Sequence, residues 1–202
     1  MLLNKLKDFN VVLASNSPRR KELLADLGIN FEVRTIKGID ESYPADLPVL
    51  DIAQYISRKK ALVYQRDMAP NDIIITADTV VILGDEVLGK PKSSEEACSM
   101  LRQLSGKTHK VVTGVTIVMH DRTSSFSAVT DVEFAQLDDN VISYYVEHYR
   151  PLDKAGAYGI QEWIGCVGVR HINGSFYNVM GLPLHRLYTE LDSLLDKHVG
   201  EK

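Results

Sequence analysis

Arg19 and Arg20 stand back to back in the stretch SNSPRR, residues 15–20, between the apolar run Val11-Val12-Leu13-Ala14 and Lys21-Glu22-Leu23-Leu24. A buried strand that turns into a helix here leaves unpaired main-chain N–H groups at the helix start. Together with the positive end of the helix dipole, those groups attract an anion. Phosphate is the obvious anion, with Ser15 and Ser17 as caps or hydroxyl contacts. Arg19, Arg20 and Lys21 oppose the same dipole, so they weaken the helix unless a ligand or a carboxylate answers them. Side chains splayed into water, or paired with Glu22 and Asp26, are the plainer alternative. Asp78 is the second unusual residue. It follows the apolar run Ile73-Ile74-Ile75, stands beside Thr79, and is expected at a strand end on the sheet rim, where α/β folds bind ligands. A solvated turn aspartate is the competing reading. Lys60 in a helix, Lys90 in Gly89-Lys90-Pro91 and Glu41 in an acidic loop are each ordinary surface charges taken singly. As a set these carboxylates and cations are what cleavage of a phosphoanhydride requires.

The elements that would carry these residues can be read along the chain. Strands are expected over 11–15 and 31–35, with a helix over 18–27 that starts on Ser17-Pro18 and ends at Gly28. A polar loop over 37–47 leads to a helix over 50–68 that carries Lys60. A strand over 72–77 precedes Asp78-Thr79, and 80–83 with 87–88 read as a hairpin around Gly84-Asp85-Glu86. Ser93-x-x-Glu96 opens the next helix as a capping box, with Ala97, Met100, Leu101 and Leu104 on its core face and Gly106 at its end. Strands over 111–119 and 126–135 pair antiparallel, and a helix covers 138–149. A loop over 151–161 is followed by a hairpin of 166–172 and 175–179 turning at Asn173-Gly174, the strongest short turn signal in the chain. A closing amphipathic helix spans 183–198. This alternation predicts an α/β class with a mixed sheet.

The chain has 202 residues with 45% hydrophobic and 25% charged residues, enough for one large domain or two joined lobes, and disorder is not expected. A net charge of −4 argues against a general grip on nucleic acid while leaving room for a local cluster of cations around a small phosphorylated ligand. No apolar stretch approaches the roughly 20 residues that span a bilayer, and the first residues lack a secretory signal, so a soluble cytoplasmic protein is expected. Cys98 and Cys166 read as small buried hydrophobes of a reducing compartment. The histidines, at 109, 120, 148, 171, 185 and 198, show no metal-ligand spacing and read as surface or structural residues. Trp163 is placed near Gln161 in a pocket wall or in packing, and Tyr144, Tyr145, Tyr149 and Tyr158 in packing. Neither Ser15 nor Ser17 has a local His/Asp partner that would make a nucleophilic triad.

Read in order, LASNSPRRKELLADLGI, ITADTVVI, GKPKSSEEACSMLRQLSGKTHKVVTGV, DKAGAYGIQ and NGSFYNVMGLP resemble the segments of the Maf family of nucleoside triphosphate pyrophosphatases. The resemblance covers the chain from about Val11 to about Leu191. It implies hydrolysis of a nucleoside triphosphate between the α and β phosphorus atoms, giving the monophosphate and pyrophosphate, with a divalent metal, Mg²⁺ in first place and Mn²⁺ or Co²⁺ as alternatives. ADT and AYGIQ resemble the dTTP/UTP branch rather than the 7-methyl-GTP branch. Asp78 matches the family's proton acceptor, and Arg19, Thr79 and Gln161 match positions tied to base selectivity. Glu41, Lys60 and Lys90 match the charged positions that complete the site, with Glu41 and Asp78 as the expected metal ligands. Arg20, Lys60, Lys90 and the helix N–H groups are expected to clamp the triphosphate. The implied fold is an elongated mixed sheet flanked by helices, shared with inosine triphosphate pyrophosphatases. It is read as one catalytic domain over 1–202, with room for two lobes around a cleft, and as a homodimer that binds neither nucleic acid nor membrane. Two other readings stay open: the same reaction on modified nucleotides, and a nucleotide-binding cell-division regulator without turnover.

Overall fold

A computed structural model of the chain describes residues 1–199, with side chains described through Asp196, so the reading of His198 lies outside the described residues. The strands are β1 (Asn10–Leu13), β2 (Glu32–Val33), β3 (Asp72–Leu83), β4 (Glu86–Leu88), β5 (Thr108–Val118), β6 (Thr123–Phe134) and β7 (Val169–Asn173). They form a seven-stranded sheet in the order β2-β1-β3-β5-β6-β7, with β4 paired to β3. The helices are α1 (Leu2–Lys5), α2 (Pro18–Asp26), α3 (Ile52–Gln65), α4 (Ser94–Leu104), α5 (Asp139–Tyr149), α6 (Trp163–Gly168), α7 (Phe176–Met180) and α8 (Leu184–Val199). The sheet is mixed: β1 runs parallel to β2 and β3, whereas β4 is antiparallel to β3 and β7 to β6.

Contacts divide the chain into two compact units, one of residues 1–78, 113–128 and from 181 onward, the other of 79–112 and 129–180. In the first unit Val11, Val12 and Leu13 register with Ile73, Ile74 and Ile75. Ile73, Ile74 and Ile75 are fully buried, as befits a parallel strand covered on both faces. Val12, Ala14 and Ile74 pack with Ala61 and Tyr64 of α3 and with Val118. α1, which sequence reading left unassigned, packs on α8. Its Lys5 bonds Asp192 at 2.7 Å and Asp196 at 2.6 Å, and Leu2 is fully buried.

The second unit has its own core, in which Leu101 and Leu104 of α4, Phe134 of β6 and Tyr145 of α5 pack with Tyr158 and Ile164. Ser93 caps α4 as expected, accepting the Glu96 N–H at 3.2 Å. The Glu96 carboxylate reaches back to the Lys92 N–H, at 2.7 Å.

The expected hairpin at Asn173-Gly174 does not form. Residues 163–168 are helix α6, β7 begins at Val169, and the chain after Gly174 enters α7. The reason is tertiary: the Ser175 N–H donates to Thr130 Oγ1 at 3.0 Å, Ser175 Oγ accepts from the Asn178 N–H, and the fully buried Asn178 amide donates to Val111 O at 3.0 Å. A capped helix turn thus replaces the returning strand. The cysteine reading is also corrected, since Cys166 is exposed on α6 and Cys98 is only partly buried.

Candidate active site

β3 places Asp78 differently from expectation. The strand is continuous from Asp72 to Leu83, so Asp78 lies mid-strand rather than at an end. Side chains two apart on a strand share a face, which sets Asp78 beside Thr76, and side chains three apart on a helix share a side, which sets Lys60 beside Ser57. These two pairs meet as successive rungs between α3 and β3. Thr76 Oγ1 donates to Ser57 O at 2.8 Å, and the Lys60 ammonium bonds Asp78 at 2.7 Å. The lower rung is fully buried and extends through Ser57 Oγ to Thr116 Oγ1 at 2.8 Å. Sequence reading missed these hydroxyls, since their role appears only when α3, β3 and β5 are brought together.

Close approach of β5 to the first turn of α3 depends on Gly114. A Cβ there would lie 2.3 Å from Ala53 C and Gln54 N, which only the absent side chain avoids. Gln54 Nε2 also donates to Ser125 O at 3.0 Å, fixing the same end of the helix.

Lys60 bonds a second carboxylate, Glu41, at 2.9 Å, so one ammonium with 13% side-chain exposure joins Glu41 and Asp78. The loop that delivers Glu41 is stapled to α3 one residue earlier. Asp40 bonds Lys59 at 2.9 Å and accepts the Ser42 N–H at 2.9 Å, and Lys59 also donates to Ser42 O at 2.8 Å. The Lys59 ammonium and the Ser42 N–H and hydroxyl hold the Asp40 carboxyl well below its usual range.

The SNSPRR turn forms as expected. Ser17 caps α2 by accepting the Arg20 N–H at 3.4 Å, with Pro18 at the first helical position. Ser15 Oγ accepts the Ser17 N–H at 3.2 Å. The Arg20 side chain turns back on the main chain: Nε donates to Gly181 O at 2.8 Å and one terminal nitrogen to Ala77 O at 3.0 Å. Burial holds the Arg20 pKa below its ordinary value; Asp78 opposes that shift, Arg19 adds to it, and Glu41 opposes it. Ser15, Ser17, Arg19, Arg20, Glu41, Lys60 and Asp78 all belong to the first unit.

Thr79, Lys90 and Gln161 belong to the second unit. Lys90 is exposed, and its neighbour Gly89 accepts the Gly156 N–H at 3.1 Å, joining the GKP loop to the loop that leads to Gln161. Gln161 is exposed directly after a buried run over 156–160. Trp163 packs on Tyr144 with ring centroids 4.8 Å apart. Tyr145 does more than pack, because its hydroxyl bonds Glu162 and accepts the Gly159 N–H at 3.0 Å.

Among the described residues no group of three or more His, Cys, Asp or Glu side chains is placed to hold a metal ion. Glu41 and Asp78 nevertheless supply hard oxygen donors gathered on one ammonium. That donor set is of the kind a hard divalent cation takes when one or two protein carboxylates are completed by water and substrate phosphates. No described helix is long and apolar enough to cross a membrane.

The profile of the family described as Maf-like protein matches residues 10–194. The dTTP/UTP pyrophosphatase of Bacteroides thetaiotaomicron is 54% identical over 193 residues, covering 96% of this chain and 100% of the relative. That of Phocaeicola vulgatus is 55% identical over the same shares. That of Porphyromonas gingivalis is 53% identical over 192 residues, 94% of this chain and 96% of the relative. The structure of the Staphylococcus aureus Ham1 protein aligns with a TM-score of 0.52 at 18% identity, covering 91% of this chain and 98% of that one, and so shares the fold. Matched along nearly its whole length and more than half identical to the first of these relatives, the chain belongs to the Maf family.

Proposed function

We propose that the chain hydrolyses dTTP and UTP to the nucleoside monophosphate and pyrophosphate. The observation that carries this reading is the Lys60 ammonium bonded at once to Asp78 and Glu41, in the unit that also holds the capped start of α2. The names of the relatives above support the substrate class.

The reaction needs positioning more than covalent help, since water attacks the α-phosphorus in line while pyrophosphate leaves with growing negative charge. Asp78 orients the water and accepts its proton, or joins Glu41 as a metal ligand and stays ionised, two competing roles. Lys60, Lys90 and Arg19 with the α2 N–H groups neutralise the polyphosphate, and Arg20 adds its charge from a site fixed by Ala77 and Gly181. Glu41 and Asp78 would hold a divalent cation, which when bound offsets phosphate charge. Base selectivity falls to Thr79 and Gln161, with Arg19 serving either the base or the phosphates; the Gln161 amide offers both a donor and an acceptor to the O4 and N3–H edge of uracil or thymine. A homodimer and a cytoplasmic location complete this reading.

The test is pyrophosphate release from a panel of standard and modified triphosphates, with and without Mg²⁺. Metal-dependent turnover highest on dTTP and UTP is expected. Higher turnover on modified nucleotides would move the substrate, and binding without turnover anywhere in the panel would replace the enzyme with a nucleotide-binding regulator.

A further inference from the structure

Gln161 stands one residue before a carboxylate that is occupied on both oxygens. Glu162 Oε1 accepts from Lys154 Nζ at 3.0 Å, and Oε2 accepts from the Tyr145 hydroxyl. That hydroxyl in turn accepts the Gly159 N–H at 3.0 Å, and Lys154 also bonds Asp153 at 2.8 Å. Lys154 is 8% exposed and Tyr145 fully buried.

There is no slack around these groups. A Cβ on Gly159 would lie 2.9 Å from Glu162 Cδ and 3.1 Å from Lys154 Cε. Upstream, Gly156 and Ala157 hold positive φ values of 67° and 59°, and a Cβ on Gly156 would come within 3.0 Å of Val81 Cγ1. Alanine in the left-handed region is strained and persists only where its surroundings over-determine it.

Lys154 is largely buried and the Glu162 side chain 19% exposed, so desolvation offsets much of their attraction and the pair adds little net stability. What bonded charges supply and apolar groups do not is direction. We propose that Lys154, Glu162 and Tyr145 are positioning residues that lock the loop over 153–162 and so fix where the Gln161 amide points. They thereby determine specificity without touching the nucleotide. This rests on the reading of Gln161 as a base-selective residue. Burial, reinforced by Glu162, pushes the Tyr145 hydroxyl above its ordinary pKa, which keeps it a donor throughout the working range.

The experiment measures kcat/KM for dTTP and for dATP, with thermal unfolding alongside. Tyr145→Phe, which keeps the ring, and Lys154→Met are each introduced into the native chain and into Gln161→Ala. Gln161→Ala alone is expected to lower the dTTP-to-dATP ratio. Each network variant is expected to lower it about threefold to tenfold in the native chain and to leave it unchanged in the Gln161→Ala background, the non-additivity of groups acting through one another. The loss of Tm should be the same in both backgrounds. A purely structural role would lower both kcat/KM values together and leave their ratio intact, which overturns the proposal while Gln161 keeps its role. An equal fall of the ratio in both backgrounds also overturns it. If Gln161→Ala leaves the ratio unchanged, the base-selective reading fails and the positioning role fails with it. Should Lys154→Met not fold, Tyr145→Phe, which removes one oxygen, decides the matter.

Discussion

Lys60 serves two carboxylates, and that sharing determines what substitution at Asp78 should do. Asp78→Asn keeps the shape of the side chain and leaves Lys60 bonded to Glu41 at 2.9 Å. Nucleotide binding should therefore survive while turnover falls by about two orders of magnitude or more, as for a positioned base. Steady-state turnover beside equilibrium nucleotide binding checks this, and near-normal turnover would remove Asp78 from the chemistry. At this scale much was legible in the sequence. Ser17-Pro18 announces a helix start, which Ser17 caps, whereas the anion site suggested by the charges at that turn belongs to the proposal. Arg20 shows the limit. Nothing in SNSPRR says that its guanidinium bonds the carbonyl oxygens of Ala77 and Gly181, because both arrive from distant parts of the chain. The Lys154–Glu162–Tyr145 group was hidden for the same reason, since a buried lysine looks like a surface lysine until its partners are known.

Among the elements, α3 and β3 form the frame on which Lys60 meets Asp78, and β5 sets their spacing. Gly114→Ala puts a methyl group 2.4 Å from Ala53 O, so α3 must shift. The expected result is a loss of about 1–3 kcal/mol in stability, the usual range for overpacking. Turnover should fall as well, because the shift carries Lys60 with it. Denaturant titration and turnover assays on the same preparation check both, and an unchanged midpoint would show that the helix moves without penalty. Helices with strong caps and periodic apolar faces, α2, α4 and α5, were readable within a residue or two. β3 was cut short in the reading because a charged residue in a strand interior looks like a stop, whereas Lys60 answers its charge. Asn173-Gly174 misled because local turn preference was outweighed by Thr130 and Val111, which bond the segment that follows.

The molecule as a whole carries a built-in sensitivity to acid. His109 is 1% exposed, its Nε2 lies 2.7 Å from the Tyr158 hydroxyl, and its ring packs edge-on to Phe134. Nδ1 has no hydrogen-bond partner among the described residues. Burial pushes its pKa down from 6.5 to about 4. The unfolded chain therefore binds this proton more readily than the folded one. The contribution is complete above pH 6.5 and is lost as pH drops from 6.5 through 4, a loss of about 3 kcal/mol. Denaturant midpoints across that window should slope with pH, and His109→Leu should flatten the slope. A slope that survives the substitution would assign the effect to other groups. The α/β class, the mixed sheet and the flanking helices followed from the alternation of apolar periods. The division into units did not, because three strands run through both, and no linker or change of composition marks a boundary.

The bond from Arg20 to Gly181 has a temporal meaning. During synthesis the second unit has all of its residues, through Met180, before the first unit receives its last stretch. An arginine made among the first twenty residues therefore waits for a carbonyl made near the end. Until α8 emerges, the surface it covers on α1 stays open to water and to chaperones. The half of the protein that holds Asp78 is thus the last to mature, although it is the first to be translated.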